Sequence, residues 1–303
     1  MSDLGQRIAH LRGLEAHLRR NIRGQDHILP RIAAAFARGA LGISSPDRPR
    51  GSFLFVGPTG TGKTETFTCA IDYVFGAGHL VSFDMSEYHD RTAINKLLGE
   101  ARDDPGLLGR ALGAVSTGGV LFDEIEKAHP LVLDLFLQIL WHGRITVATG
   151  ETLRFGSYFV GFTSNIGATE AMRMEQSRLA SIEQAVVRRV EQELRPELIG
   201  RIDEKLVFAR LSPAVQREIC ELEIMREVGR LHSGGFDLKV SAAAVAFLAR
   251  EGYDPRFGAR PMRRTVERFL QDAVVRELFA SGVASGEVVP DEHSRSLRMI
   301  GRA

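Results

Sequence analysis

Gly51-Ser52-Phe53-Leu54-Phe55-Val56-Gly57-Pro58-Thr59-Gly60-Thr61-Gly62-Lys63-Thr64 decides how the rest of this chain is read. The apolar run Phe53 to Val56 has the length and composition of a buried strand, and a helical pattern follows Thr64. Between them, Gly57 to Thr64 fit the spacing G-x-x-x-x-G-K-[ST] in the strand-to-helix context that the pattern requires. Glycines at these positions let successive backbone N–H groups converge on phosphate oxygens, and the helix N-terminus adds positive potential. Lys63 then reaches the β- and γ-phosphates of a nucleotide, and the Thr64 hydroxyl is placed to ligate magnesium (Mg2+). Gly57, Pro58, Thr59, Gly60, Thr61, Gly62, Lys63 and Thr64 are therefore the candidate phosphate-binding residues.

Outward from this stretch, short apolar runs alternate with helical patterns: Leu80 to Phe83, Val120 to Phe122, Tyr158 to Thr163 and Leu206 to Phe208. Such alternation predicts an α/β fold, a parallel five-stranded sheet flanked by helices. Gly57, Asp84 and Asp123 fall at or just past C-terminal strand ends, where open α/β sheets bind ligands. Two helical stretches come first, Leu4 to Arg20 and about Gln25 to Leu41, followed by a loop from Ser44 to Arg50. After Leu211-Ser212-Pro213 the pattern turns mainly helical, with Met262, Val266, Leu270, Ala273 and Val274 spaced as one helix face. Gly286 to Ile300 reads as a minor sheet around Pro290-Asp291. The expected division is 1–50 for the N-terminal helices, 51–211 for the large α/β subdomain and 212–303 for a smaller, mainly helical subdomain.

A second chemical signal is Gly118-Gly119-Val120-Leu121-Phe122-Asp123-Glu124, a strand ending in two carboxylates. Asp123 is placed to hold magnesium, and Glu124 to polarise an attacking water. Composition sets no contrary bound. The 303 residues are 44% hydrophobic and 25% charged with a net charge of +1, ordinary values for a globular chain. Near-neutral charge argues against a dedicated nucleic-acid coat. Two cysteines, Cys69 and Cys220, build no disulfide framework and read as small core hydrophobes in a reducing compartment. With no signal-peptide pattern and no apolar run long enough to cross a bilayer, the expectation is a cytoplasmic protein with no membrane partner. The nine histidines are dispersed without metal-ligand spacing.

From about Leu14 to its end, the sequence resembles the second nucleotide-binding domain of the ClpB and ClpA family of AAA+ unfoldases and disaggregases. The resemblance rests on Gly51 to Phe55, Asp84-Met85-Ser86-Glu87-Tyr88, the run Asp123 to Pro130, and Gly252-Tyr253-Asp254-Pro255 leading into Gly258-Ala259-Arg260-Pro261. It implies ATP as cofactor together with Mg2+, ATPase activity, and a homo-oligomeric ring, expected to be a hexamer. It also implies roles for further residues. Asn165 resembles the sensor that hydrogen-bonds the nucleophilic water or γ-phosphate. Arg201 resembles an arginine finger serving a neighbouring subunit's ATP, Arg260 a second sensor, and Ile22 lies where the family approaches the adenine.

Several stretches depart from the family. Its channel loop, Pro-Gly-Tyr-Val-Gly, is here Pro105-Gly106-Leu107-Leu108-Gly109, so the aromatic grip is missing and Leu107 and Leu108 are the candidate substrate contacts. The approach, Glu100 to Asp104, is unusually charged. No peptidase-docking loop is recognisable, since Ile166-Gly167-Ala168 directly follows Asn165, so a ClpP-type partner is not expected. Without a first ATPase ring or a substrate-binding N-terminal domain, the chain reads as a stand-alone single-ring protein. Trp141 is expected to cover the core below the sheet, and the hairpin Arg144 to Phe155 to offer Arg144, Thr146 or Thr149 to a substrate. These readings favour a protein-remodelling ATPase acting on an unidentified protein. A nucleotide-switched assembly scaffold and a nucleic-acid-linked AAA+ regulator remain the alternatives.

Overall fold

A computed structural model describes residues 3–301 except 46, 175–176, 255–256 and 292. The chain divides into two compact units, Met1–Pro58 with Gly62–Arg210, and Thr59–Thr61 with Leu211–Ala303. The first unit opens with α1 (Asp3–Arg12), α2 (Leu14–Asn21) and α3 (Leu29–Ala40), and then β1 (Gly51–Val56) leads through the glycine-rich turn into α4 (Lys63–Phe75). There follow β2 (Leu80–Asp84), α5 (Ala93–Leu98), α6 (Gly106–Ala114), β3 (Gly118–Asp123) and α7 (Pro130–His142). A hairpin of β4 (Arg144–Thr146) and β5 (Thr152–Arg154) precedes β6 (Tyr158–Ser164), α8 (Ala168–Arg173), α9 (Leu179–Glu193), α10 (Pro196–Ile199) and β7 (Glu204–Val207).

The five expected strands form one parallel sheet in the order β2-β3-β6-β1-β7. Because side chains alternate across a strand, β1 feeds two cores at once. Phe53 and Phe55 pack on one face with Phe36, Phe67, Phe159 and Phe208, and Leu54 and Val56 pack on the other with Phe122, Phe136 and Phe162. Close approach of α4 to the sheet depends on glycine. A Cβ at Gly119 would lie 2.6 Å from the Ile71 side chain, and one at Gly161 3.1 Å from the Phe67 ring.

The N-terminal helices differ from the sequence reading. The first is broken at Gly13, where the Tyr73 hydroxyl donates to the His10 carbonyl at 2.8 Å and a Cβ would meet that hydroxyl at 2.4 Å. The next starts at Leu29 instead of Gln25, with Pro30 in its first turn. Gln25 is withheld from it because its buried amide clamps the backbone of Ala209, donating to the carbonyl and accepting from the N–H, both at 2.9 Å.

The second unit contains α11 (Pro213–Ser233), β8 (Asp237–Val240), α12 (Ala242–Glu251), α13 (Met262–Ser281), β9 (Ser285–Pro290) and β10 (Leu297–Gly301). Met262, Val266, Leu270, Ala273 and Val274 are all buried on one side of α13, joined by Cys220, Phe247 and Leu248. Burial and the nearby Glu221 and Glu223 push the Cys220 thiol up to about 12, in keeping with an inert core residue. The minor sheet pairs β9 with β10 antiparallel and adds β8, parallel to β9, which its short run did not signal. Pro255 of the Gly252–Pro255 motif lies outside the described residues.

Candidate functional site

Sheet order brings the chemical residues together. Strands β3, β6 and β1 are consecutive neighbours, so their C-terminal ends, carrying Asp123-Glu124, Asn165 and the Gly57–Thr64 turn, emerge side by side. Gly57 opens the turn with φ at 137° and its Cα pressed against Phe208, so that a Cβ would lie 2.6 Å from the Phe208 carbonyl oxygen. Only glycine fits there.

Lys63, 8% exposed, starts α4 and points back along the turn. Its Nζ donates to the carbonyls of Gly57 at 2.8 Å and Pro58 at 2.9 Å, and to Asn165 Oδ1 at 3.0 Å. Burial lowers this ammonium to about 8, while the carboxylates of Glu126, Asp123 and Glu124 pull it back towards the charged form. The Asn165 amide continues the chain of contacts, its Nδ2 donating to Glu124 Oε1 at 3.1 Å. The Thr64 hydroxyl lies 3.4 Å from both carboxylate oxygens of Asp123.

Two residues that the sequence reading passed over support this cluster. The Thr163 hydroxyl donates to Asp123 Oδ1 and accepts the Glu124 N–H at 3.0 Å, tying β6 to the end of β3. Glu126 Oε1 accepts the Asn165 N–H at 3.0 Å, and its buried Oε2 has no hydrogen-bond partner among the described residues. Thr163 closes the apolar run Tyr158 to Thr163 and Glu126 lies in the run Asp123 to Pro130, but their contacts come from the adjacency of β3 and β6, which neither segment's sequence expresses. Glu124 itself adopts the left-handed conformation, φ 56° and ψ 52°, which turns its side chain out of the strand direction and towards Asn165.

Within the first unit, Arg201 and Ile22 stand apart from the cluster. Arg201, half-buried, donates from Nη1 to the Leu137 carbonyl at 3.3 Å and stacks on Trp141; among the described residues it touches none of Lys63, Thr64, Asp123, Glu124 or Asn165. Trp141 does not cover the core. It is 48% exposed, because α7 turns Leu135, Phe136, Ile139 and Leu140 inward and leaves the next position on the outer side. Ile22 is buried in the apolar cluster that includes Leu18 and Phe208. Arg260 is exposed in the second unit, just ahead of α13.

The Pro105–Gly109 segment is a second correction, since it forms the start of α6 and not a free loop. Asp104 Oδ1 accepts the Gly106 N–H at 3.0 Å and binds Arg110, while Leu108 and Leu112, four apart, turn inward together. Leu107 is 43% exposed, but Leu108 is fully buried, so of the two expected substrate contacts only Leu107 is presented at the surface. The hairpin of β4 and β5 exposes Arg144 and Thr146.

A glycine-rich turn entering a helix beside paired strand-end acids, on a parallel sheet of this order and followed by a helical unit with a small sheet, defines an ATPase domain of the P-loop class. Residues 48–205 match the AAA domain (Cdc48 subfamily), and residues 211–290 match the C-terminal, D2-small domain, of ClpB protein. The chain belongs to the AAA+ ATPases of the ClpB and ClpA type. It is 37% identical over 287 residues to chaperone protein ClpB 2 of Nostoc sp., covering 91% of this chain and 33% of that one. Chaperone protein ClpB 1 of Thermosynechococcus vestitus is 35% identical over 292 residues, covering 94% and 33%. A ClpA homolog of Pyropia yezoensis, an ATP-dependent Clp protease ATP-binding subunit, is 36% identical over 295 residues, covering 90% and 36%. The chain thus spans about a third of the length of these relatives.

Proposed function

We propose that this chain hydrolyses magnesium-bound ATP within a homo-oligomeric ring and uses the cycle to remodel a protein substrate. The observation that carries the reading is the unbroken contact from Lys63 through Asn165 to Glu124, with Thr64 facing Asp123 beside it. A hydroxyl and a carboxylate are hard oxygen donors of the kind Mg2+ accepts, so the residues fit the ion. Magnesium, when bound, would neutralise charge on the phosphate oxygens.

The remaining roles belong to the chain. Lys63 exchanges its contacts with the Gly57 and Pro58 carbonyls for phosphate oxygens. Asn165 holds the attacking water and the Glu124 carboxylate in register, and Glu124 accepts the proton that this water sheds. Arg201, which has no part in its own chain's cluster, supplies its guanidinium to the site of the next subunit, and a head-to-tail contact of that kind closes into a ring. The ClpB relatives' chaperone names support a protein as the object of the work. With Leu108 buried, any channel grip falls to Leu107 and the exposed hairpin residues.

Glu124→Gln is the test. ATP binding by calorimetry should persist, while phosphate release drops at least about a hundredfold, since both proton acceptance and water orientation are lost. Turnover at the parental rate would remove Glu124 from its role. Stimulation of the parent by DNA and by no polypeptide would favour the nucleic-acid-linked regulator instead.

A further inference from the structure

Two arginines share the one tryptophan of the sequence. The guanidinium carbon of Arg201 lies 4.0 Å from the centroid of the Trp141 ring, and that of Arg48 lies 5.7 Å from it. Both arginines line a cavity of about 230 Å3, together with Arg38, Arg50 and Asp203. The acid in that lining is already engaged, because Asp203 Oδ2 accepts the Ser52 N–H at 2.8 Å and the Ser52 hydroxyl at 2.7 Å. Arg38 and Arg31 are held by Glu204, whereas Arg48 and Arg201 form no ion pair with a carboxylate among the described residues.

The difference matters for an arginine that must be handed to a phosphate. A carboxylate partner would neutralise the guanidinium and have to be broken away first. An aromatic face attracts the cation through its quadrupole, fixes the plane of the group and leaves its full charge in place. The carbonyl of Leu137, one turn before Trp141 on α7, sets the orientation by taking one N–H. Trp141 meanwhile sits half in solvent, on the outer side of its helix, where a large apolar ring contributes little to the core.

We propose that Trp141 is a positioning residue for Arg201: its indole holds the guanidinium flat and without a carboxylate partner until the triphosphate held by a second copy of the chain draws it away. The inference rests on the reading of Arg201 given above. Exchange of the cation from indole to phosphate changes the surroundings of the sole tryptophan, so its emission reports the event.

The experiment uses the full chain. In the Glu124→Gln background, tryptophan emission on adding ATP should change as protein concentration is raised through assembly, and Arg201→Ala should abolish that change. For turnover, Trp141→Ala should lower kcat about tenfold and Trp141→Phe about two- to threefold, with KM for ATP within about twofold of the parent, because a guanidinium that has lost its aromatic support must be oriented anew before it reaches the phosphate. In an Arg201→Ala background, Trp141→Ala should cost nothing further, which a general packing role would not reproduce. Parental kcat in Trp141→Ala, or an equal loss in both backgrounds, overturns the proposal. Should assembled Arg201→Ala itself turn over at the parental rate, the arginine-finger reading fails; should it be slow while both Trp141 variants are unaffected, only the present inference fails.

Discussion

Glu124 alone among the described non-glycine residues has a positive φ, at a cost of about 1–2 kcal/mol. The conformation persists because its N–H is held by Thr163 and its carboxylate by Asn165, so one backbone kink aims two adjacent acids in different directions. Asp123 continues the strand towards Thr64, and Glu124 leaves it towards Asn165. Asn165→Asp, which keeps the size but sets a like charge against Glu124, should slow phosphate release by about 10²–10³, the usual loss for a preorganised donor. ATP affinity, by calorimetry, should move far less; a collapse of binding with unchanged turnover at saturation would assign Asn165 to nucleotide capture instead. Lys63, Thr64, Asp123 and Glu124 were legible because each lies in a short pattern with its own spacing, whereas Asn165 was singled out only through the family resemblance. Glu126 and Thr163 were not legible, because a hydrogen bond across the ends of neighbouring strands leaves no trace in either segment alone.

At the level of elements, buried runs fixed all five sheet strands, whereas helix ends were decided by single long-range contacts. The Tyr73 hydroxyl at Gly13 and the Gln25 clamp on Ala209 each moved a boundary. In α6, the turn in which Asp104 accepts the Gly106 N–H and the inward pair Leu108 and Leu112 stand where the family resemblance implied a channel loop. The position of α4 depends on the missing side chain at Gly119. Gly119→Ala should therefore destabilise the chain by about 1–3 kcal/mol through overpacking against Ile71, measured by denaturant unfolding. Ile71→Val in the same molecule should recover part of the loss; an unchanged midpoint in Gly119→Ala would show that the contact yields freely. In the second unit, Glu227 on α11 is nearly fully buried and accepts from Arg230 at 2.6 and 2.8 Å and from Gln271 at 3.0 Å. Its Arg230 contact chiefly, with that of Gln271, holds the carboxyl below its ordinary value of 4.5, against the opposing effect of burial. A depressed carboxylate stabilises the fold above its unfolded pKa and loses that contribution as pH falls through the folded one. Glu227→Gln should thus be less stable than the parent at neutral pH, with the gap closing as the pH falls below the ordinary glutamate value of 4.5 and through the depressed one of the folded chain. A gap independent of pH would mean that the charge plays no part.

For the whole molecule, sheet order explains why residues so far apart in sequence meet, and family resemblance supplied what periodicity could not, above all the separate standing of Arg201. That arginine was expected to serve another subunit, and its contacts lie with Trp141 and Leu137 on α7, outside the cluster at the strand ends. Trp141, expected over the core, instead faces outward beneath that guanidinium, because burial on a helix depends on which side meets the sheet and not on the size of the ring. A site divided between copies makes a demand that no single-chain site does. Glu124→Gln lacks the base but keeps the arginine, and Arg201→Ala lacks the arginine but keeps the base, so each alone should release little phosphate. The most direct measurement is phosphate release from the two variants mixed in equal amounts and allowed to co-assemble. Recovered activity well above the sum of the separate variants is the expected result, as sites with an intact Glu124 receive Arg201 from the neighbouring copy. A mixture no more active than that sum, with co-assembly shown by crosslinking, would contradict the shared site.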